Sequence, residues 1–121
     1  MGARLKTEFW IHAQLRLCAE MSLPIVVVRR GDRDAGQVLV KLYRPGWGCA
    51  LLARRFDEDG ARAWMVVAGG AGIDAERACD AYIAREVDID TDVWVIEIED
   101  RKGVYRPDGQ NPGQNPGTAW K

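Results

Sequence analysis

The stretch Val93-Trp-Val-Ile-Glu-Ile-Glu-Asp100 constrains this chain more than any other. Successive side chains of a strand point to opposite faces. Trp94, Ile96 and Ile98 therefore share one face, and Val95, Glu97 and Glu99 share the other. The first face is apolar throughout. The second turns from apolar to acidic halfway along, so the stretch is read as the central strand of a sheet. The segment before it, Asp74 to Val87, has a helical period. Ala75, Cys79, Tyr82 and Ile83 face one way with Ala78 beside them, and Arg77, Asp80 and Ala84 face roughly the other way, with Asp74 as N-cap. The acidic connector Asp88-Ile-Asp-Thr-Asp92 joins helix to strand, with Ile89 expected to tuck inward. An amphipathic helix feeding such a strand requires a sheet with a helical cover.

The rest of the chain fits that requirement. Thr7 to Met21 is predicted to be the first helix, with Thr7 as N-cap and Glu8 in the first turn. Trp10, Leu17 and Met21 form its apolar stripe, widened by Ile11, Leu15 and Cys18. Gln14 sits inside the stripe, where it is expected to bond a strand end or loop backbone, and Phe9 sits on the polar side. Pro24 ends the helix. Ile25 to Val28, Gln37 to Tyr43, Cys49 to Phe56 and Ala61 to Ala68 read as strands, separated by turn clusters rich in Gly, Pro and Asp. Gly69-Gly-Ala-Gly72 reads as a flexible strand-to-helix linker. The predicted order is α-β-β-β-β-α-β. The short links make strands one to four an antiparallel meander, and the helix before strand five permits a crossover. The expected fold is α+β: a two-layer sandwich, with a mainly antiparallel five-stranded sheet and both helices on one face. The domain is expected to span residues 1–105. Residues 106–121, rich in Gly, Pro, Asn and Gln, read as a disordered tail containing Trp120.

Charge and length exclude several functions. A formal net charge of −1 gives no basic field for nucleic acid or an anionic membrane. No apolar run approaches the roughly 18 residues of a membrane span, and the first residues carry no signal-peptide core. A cytoplasmic location is the expectation. Cys18, Cys49 and Cys79 are widely spaced, with His12 the sole histidine, which does not make a zinc set. They read as reduced, buried small hydrophobes.

Each chemical motif meets an objection. Asp88, Asp90 and Asp92 with Glu99 match the ligand spacing of a calcium loop, but Val93 stands where the loop needs glycine. Glu97, Glu99 and Asp100 followed by Lys102 match an acid-x-lysine nuclease signature, but on a strand after the second helix rather than before it. Gly69 to Gly72 opens a helix as a phosphate cradle would, yet it lacks a P-loop lysine, and Asp74 would repel phosphate. His12 and Cys18 lie over a turn apart on a helix and about 120° apart in angle, so they form no catalytic dyad. No catalytic residue, metal ligand or cofactor is assigned. The surface candidates are Trp47 in a Pro-Gly-Trp-Gly turn, Arg54 among hairpin arginines, and the acidic strand end Glu97, Glu99 and Asp100.

A set of short motifs resembles one family. These are Ala3-Arg-Leu5 before a tryptophan-containing helix, Arg30-Gly-Asp32 with Asp34-Ala-Gly36, Val38-Leu-Val-Lys41, Phe56-Asp57 with Asp59-Gly60 before Trp64, Ala81-Tyr-Ile-Ala-Arg-Glu86, and above all Asp92-Val-Trp-Val-Ile-Glu-Ile-Glu-Asp-Arg101. Over residues 3–105 the chain is similar to the small bacterial proteins grouped as domain of unknown function 1491. The resemblance implies a small cytosolic bacterial protein and supplies no activity, cofactor or site residue. Two readings stay open. One is a non-catalytic binding or assembly module, pairing with a protein partner or with itself as a homodimer through an uncovered sheet face or an edge strand. The other is a metal-dependent enzyme or metal-binding protein using Glu97, Glu99 and Asp100.

Overall fold

A computed structural model describes residues 6–114. The elements are α1 (Thr7–Glu20), β1 (Ile25–Arg29), β2 (Val38–Arg44), β3 (Gly48–Phe56), β4 (Arg62–Ala71), α2 (Ala75–Ile89), β5 (Trp94–Glu99), a single 3-10 turn (Pro107–Gly109) and the two-residue β6 (Gly113–Gln114). The α+β class and the α-β-β-β-β-α-β order therefore stand.

The sheet order is β1-β5-β2-β3-β4-β6. Strands β2, β3 and β4 form the expected antiparallel meander. Strand β1 does not join it, because β5 inserts between β1 and β2. It pairs antiparallel with β1 and parallel with β2. The crossover through α2 makes this possible: β4 and β5 run the same way, and a helix spans the gap between them. The Val93–Asp100 stretch is thus internal, flanked on both sides.

The two helices cover opposite faces of the sheet, a correction to the single-face sandwich. Trp10, Ile11 and Cys18 of α1 pack with Val40, Leu42, Ala50, Leu52, Trp64, Val66, Trp94, Ile96 and Ile98. Ala75 and Cys79 of α2 pack with Leu39, Cys49, Leu51, Ala53, Val93 and Val95, joined by Tyr82 and Ile83. The reason is visible in strand composition. In Leu39-Val40, Cys49 to Ala53 and Val93 to Ile96 both faces are apolar, and both had to be dried.

The buried side of α1 is rotated from the expected stripe. Trp10, Ile11, Gln14 and Cys18 are buried, whereas Leu17 and Met21 are exposed like Phe9. The Gln14 amide oxygen accepts a 2.6 Å bond from the Tyr105 hydroxyl, not from a backbone group. Neither Thr7 nor Asp74 caps with its side chain. The Thr7 hydroxyl instead donates to the Gly36 carbonyl at 2.8 Å, tying α1 to the β1–β2 link. Ile89 is 81% exposed rather than tucked inward.

The glycine run is part of the sheet, not a linker. Strand β4 continues to Ala71, and Gly69, Gly70 and Ala71 pair with Ala50, Cys49 and Gly48. Gly69 holds φ +86°, and a Cβ there would lie 2.1 Å from the Cys49 carbonyl oxygen and 2.6 Å from the Cys79 sulfur. The glycine makes room for α2 to seat its thiol on the sheet. All three cysteines are free and buried. The Cys79 thiol donates to the Cys49 carbonyl at 3.5 Å. The neighbouring Cys79 side chain, followed by burial, raises the Cys49 pKa well above the ordinary thiol range.

The fold does not stop at residue 105. Residues 106–114, expected to begin the tail, lie against the α1 face, with Pro107 buried and Gly113 paired to Met65. Trp120 lies outside the described residues.

Candidate functional site

The predicted acidic strand end does not converge. Glu97 and Glu99 point to the α2 side, as the alternation of β5 requires. Glu97 lies 3.7 Å from the Lys41 ammonium, while Glu99 pairs with Arg101 at 3.3 Å. Asp100 is buried at the strand end, and its two oxygens accept from the Val104 and Tyr105 amides at 2.9 Å each. Among the described residues no group of three or more His, Cys, Asp or Glu is placed to hold a metal ion. The metal reading, built on these three acids, loses its geometric basis. Of the connector acids, Asp90 is engaged locally, accepting from the Asp92 amide at 2.9 Å.

Where acids do cluster, a lysine stands at the centre. Lys41 of β2 is buried beneath α2, and its ammonium bonds Glu76 and Asp80 at 2.8 Å each. Burial alone would lower its pKa. The bonds it donates to Asp80 and Glu76, with the charge of Glu97, outweigh that and hold it above the ordinary lysine value. The stability this contributes is present through neutral pH and is lost only as pH rises through the raised value. Lys41→Met is expected to cost about 2 kcal/mol at neutral pH, moderated because Glu76 and Asp80 are half-exposed. Urea denaturation of the variant beside the unmodified chain at neutral pH measures the deficit, and a loss under about 0.5 kcal/mol would contradict this account.

Trp47 does not protrude. It packs against the α1-side core, with the Arg44 guanidinium 5.3 Å from its ring centroid. Arg54, by contrast, belongs to a built site. It reaches from β3 to the Asp108 carboxylate at 2.7 Å. The other Asp108 donors are the indole N–H groups of Trp10 at 2.8 Å and Trp64 at 3.0 Å. The two indoles stack with centroids 5.3 Å apart and planes at 26°, and the Arg54 guanidinium lies 5.2 Å over Trp64. Three elements, α1, β3 and β4, thus aim only donors at one carboxylate.

Burial would raise the Asp108 pKa, but the bonds from Trp10, Trp64 and Arg54 prevail and hold it below the ordinary 3.8. A depressed pKa contributes stability above the unfolded value that is lost as pH falls through the folded one. The segment around Asp108 is therefore expected to stay docked through mildly acidic pH and to release below the usual carboxylate range. Tryptophan fluorescence followed during acid titration reads this directly. The transition should vanish in Asp108→Asn, which has no carboxylate to protonate.

Asp108 was missed because its composition resembles a tail; the pairing of Trp10 with Trp64 depends on strand order, not on local sequence. The root of the segment is firmer. Tyr105 is 1% exposed, and burial, followed by the charges of Cys18 and Asp108, pushes its hydroxyl above the usual tyrosine pKa. Burial and the Asp100 charge push Cys18 up to about 11.

A further exposed feature lies at the other end of the sheet. Strand β1 is an edge: among the described residues no strand pairs with its outer side. Ile25 and Val27 turn toward the α1 core, whereas Val26 and Val28 are 54% and 57% exposed. Val26, opposite Glu97, lies on the α2 side, and Val28 is the residue skipped in the register between Val27 and Arg29; this edge is beyond the reach of a helix about 10 Å wide laid over strands spaced about 4.8 Å apart. On α1, Phe9, His12, Ala13, Arg16, Leu17 and Glu20 line a shallow groove of about 290 Å³. No helix among the described residues is long and apolar enough to cross a membrane.

Comparison with known proteins agrees with this architecture. A crystal structure of a DUF1491 family protein from Caulobacter crescentus CB15 is 34% identical, covers 93% of this chain and all of its own, and superposes with a TM-score of 0.73. An NMR structure of a DUF1491 family protein from the same organism is 33% identical over 94% of this chain and 99% of its own, with a TM-score of 0.73. A solution structure of a protein from A. tumefaciens shares the fold at 24% identity, with a TM-score of 0.66 over 83% of this chain and 89% of its own. No curated protein matches. A model for proteins of unknown function, DUF1491, matches residues 5–105, the stretch containing both helices and all five main strands, and with it the chain belongs to the DUF1491 family.

Proposed function

We propose that this chain is a non-catalytic binding and assembly module that pairs with a second copy of itself through β1. The observation that carries the reading is the coincidence of an unpaired strand edge with exposed Val26 and Val28. Natural edges are usually blunted by charge, bulges or cover, because their free N–H and C=O groups recruit other strands. This edge has a register irregularity between Val27 and Arg29, but its outward side chains are apolar. In an antiparallel pair centred on Val27, Val26 of one copy stands opposite Val28 of the other. Such β-branched pairs favour the sheet. Arg29 does not oppose the pairing, since its guanidinium is turned to the Thr91 and Val93 carbonyls at 3.0 and 2.7 Å. His12 lies exposed on α1 while Cys18 is buried, which supports binding over nucleophilic chemistry.

Light scattering coupled to size-exclusion chromatography tests the proposal. The unmodified chain is expected to be a dimer at high micromolar concentration. Val26→Lys combined with Val28→Lys should give a folded monomer by placing like charges opposite one another. A monomeric unmodified chain at that concentration would sink the proposal.

A further inference from the structure

We propose that the Trp10–Trp64–Arg54 clamp is a receptor for an aspartate carried on an extended segment of a partner protein, and that the chain's own residues 107–114 keep it closed in cis. The donors come from α1, β3 and β4, all outside the segment they hold, and the stacked indoles fix one another's position. Nothing in the clamp accepts a hydrogen bond. It presents three N–H donors, which match both oxygens of one carboxylate, Oδ1 to Trp10 and Oδ2 to Trp64 and Arg54. The bound carboxylate is 34% exposed, so the clamp opens to solvent.

The covering segment has a firm root and a lightly held body. Its root is Tyr105, bonded through its hydroxyl to Gln14 and through its amide to Asp100. Beyond it, the hold consists of Pro107, the Asp108 carboxylate and the two-residue β6. Asp108 sits at φ 53°, a left-handed conformation with some cost even for aspartate. The segment also displays the binding mode. Gly113 and Gln114 add in parallel to Met65 and Val66 of β4, a strand that runs from Arg62 to Ala71. A partner segment with an aspartate at the same offset could use the clamp and pair along more of that edge, the strand-addition mode of peptide recognition. Tethering gives the internal segment an effective concentration on the order of millimolar, which keeps the site closed at rest.

Asp108→Asn empties the clamp with little change of shape, because an amide cannot accept from all three donors. A fluorescein-labelled peptide of residues 106–114, and the same peptide with asparagine for aspartate, are titrated by fluorescence anisotropy against the full-length variant, with folding checked by far-UV circular dichroism. The aspartate peptide is expected to saturate the variant and to bind at least about tenfold more tightly than the asparagine peptide, as expected for charge-assisted bonds. The unmodified chain should bind it more weakly than the variant. Equal binding of the two peptides, or no binding to the folded variant, would overturn the proposal. Hydrogen exchange on the unmodified chain gives a second reading that needs no variant. The Gly109 and Gln110 amides should exchange at least about tenfold faster than that of Tyr105. Exchange of all three together with the core would mean a structural staple and overturn it. A wild-type dimer that Asp108→Asn converts to a monomer would show exchange of this segment between copies and overturn the heterologous partner. A dimer through β1 would survive Asp108→Asn, which keeps the two proposals separable.

Discussion

Trp94→Ala is expected to destabilise the chain by about 4 kcal/mol, the cost of emptying a large buried aromatic site. For a domain of this size that lowers the thermal midpoint by on the order of 20 °C. The side chain is 1% exposed in the α1-side core. Its indole N–H donates to the Asp32 carbonyl at 2.7 Å, so truncation also leaves that acceptor in the β1–β2 link without its partner. The link is built around this ring. A Cβ on Gly31 would fall 2.7 Å from the Trp94 ring and 2.1 Å from the Asp92 carbonyl oxygen. Loss of the indole therefore loosens β5 and the link together. Trp94→Phe keeps much of the volume and loses the hydrogen bond, and should cost about half as much. Guanidinium denaturation of both variants decides the matter. A loss under about 1 kcal/mol for Trp94→Ala would mean the site collapses around the gap, and that β5 is not the strand the core depends on.

Gly69→Ala is expected to cost about 3 kcal/mol or more, from two separable causes. One is backbone strain, since φ at Gly69 is +86° and a side chain there is disfavoured by about 1–2 kcal/mol. The other is overlap with the Cys49 carbonyl and the Cys79 sulfur, which forces β3, β4 or α2 to shift in a close-packed interior. Gly60 provides the control. Its φ is +82°, but a Cβ would meet nothing within 4 Å, so Gly60→Ala should report the strain alone. Adding Cys79→Ala to Gly69→Ala removes the sulfur contact and should recover only part of the loss, because the carbonyl contact remains. Equal melting temperatures for Gly69→Ala and Gly60→Ala would show that the close approach of α2 to the sheet is not the constraint inferred here.

The binding surfaces were legible to different degrees. Arg54 was singled out among hairpin arginines, and it does reach a site, but the site's other members were hidden. Trp10 looked like core, Trp64 like a strand residue, and Asp108 like tail composition. A carboxylate in a polar, proline-rich stretch carries no local sign that two indoles wait for it. Glu97, Glu99 and Asp100 are adjacent in sequence and suggested a cluster. Strand alternation sends Glu97 and Glu99 to the side opposite Ile98, and the strand's end turns Asp100 into a backbone cap for Val104 and Tyr105. Sequence proximity within a strand separates side chains as readily as it gathers them.

The sequence by itself determined the kinds and order of the elements, because hydrophobic period and turn residues act over short range: period two in Val93 to Asp100, period 3.6 in Asp74 to Val87, and Gly, Pro and Asp between strands. It also carried the motifs of the DUF1491 family. What it left to the tertiary structure is which element meets which. The parallel insertion of β5 between β1 and β2, and the placement of α1 and α2 on opposite faces, follow from burying Leu39, Leu51 and Val95 as completely as Val40, Leu52 and Ile96. That demand is a sum over the whole sheet, not a property of any window. The same sum leaves Val26 and Val28 bare, since α2 cannot reach the last strand, and brings Asp108 back to Trp10, 98 positions away in the chain. The strand that constrained the chain at the outset proved to be its interior partner on both sides. Its pairing, rather than its pattern, decided the fold.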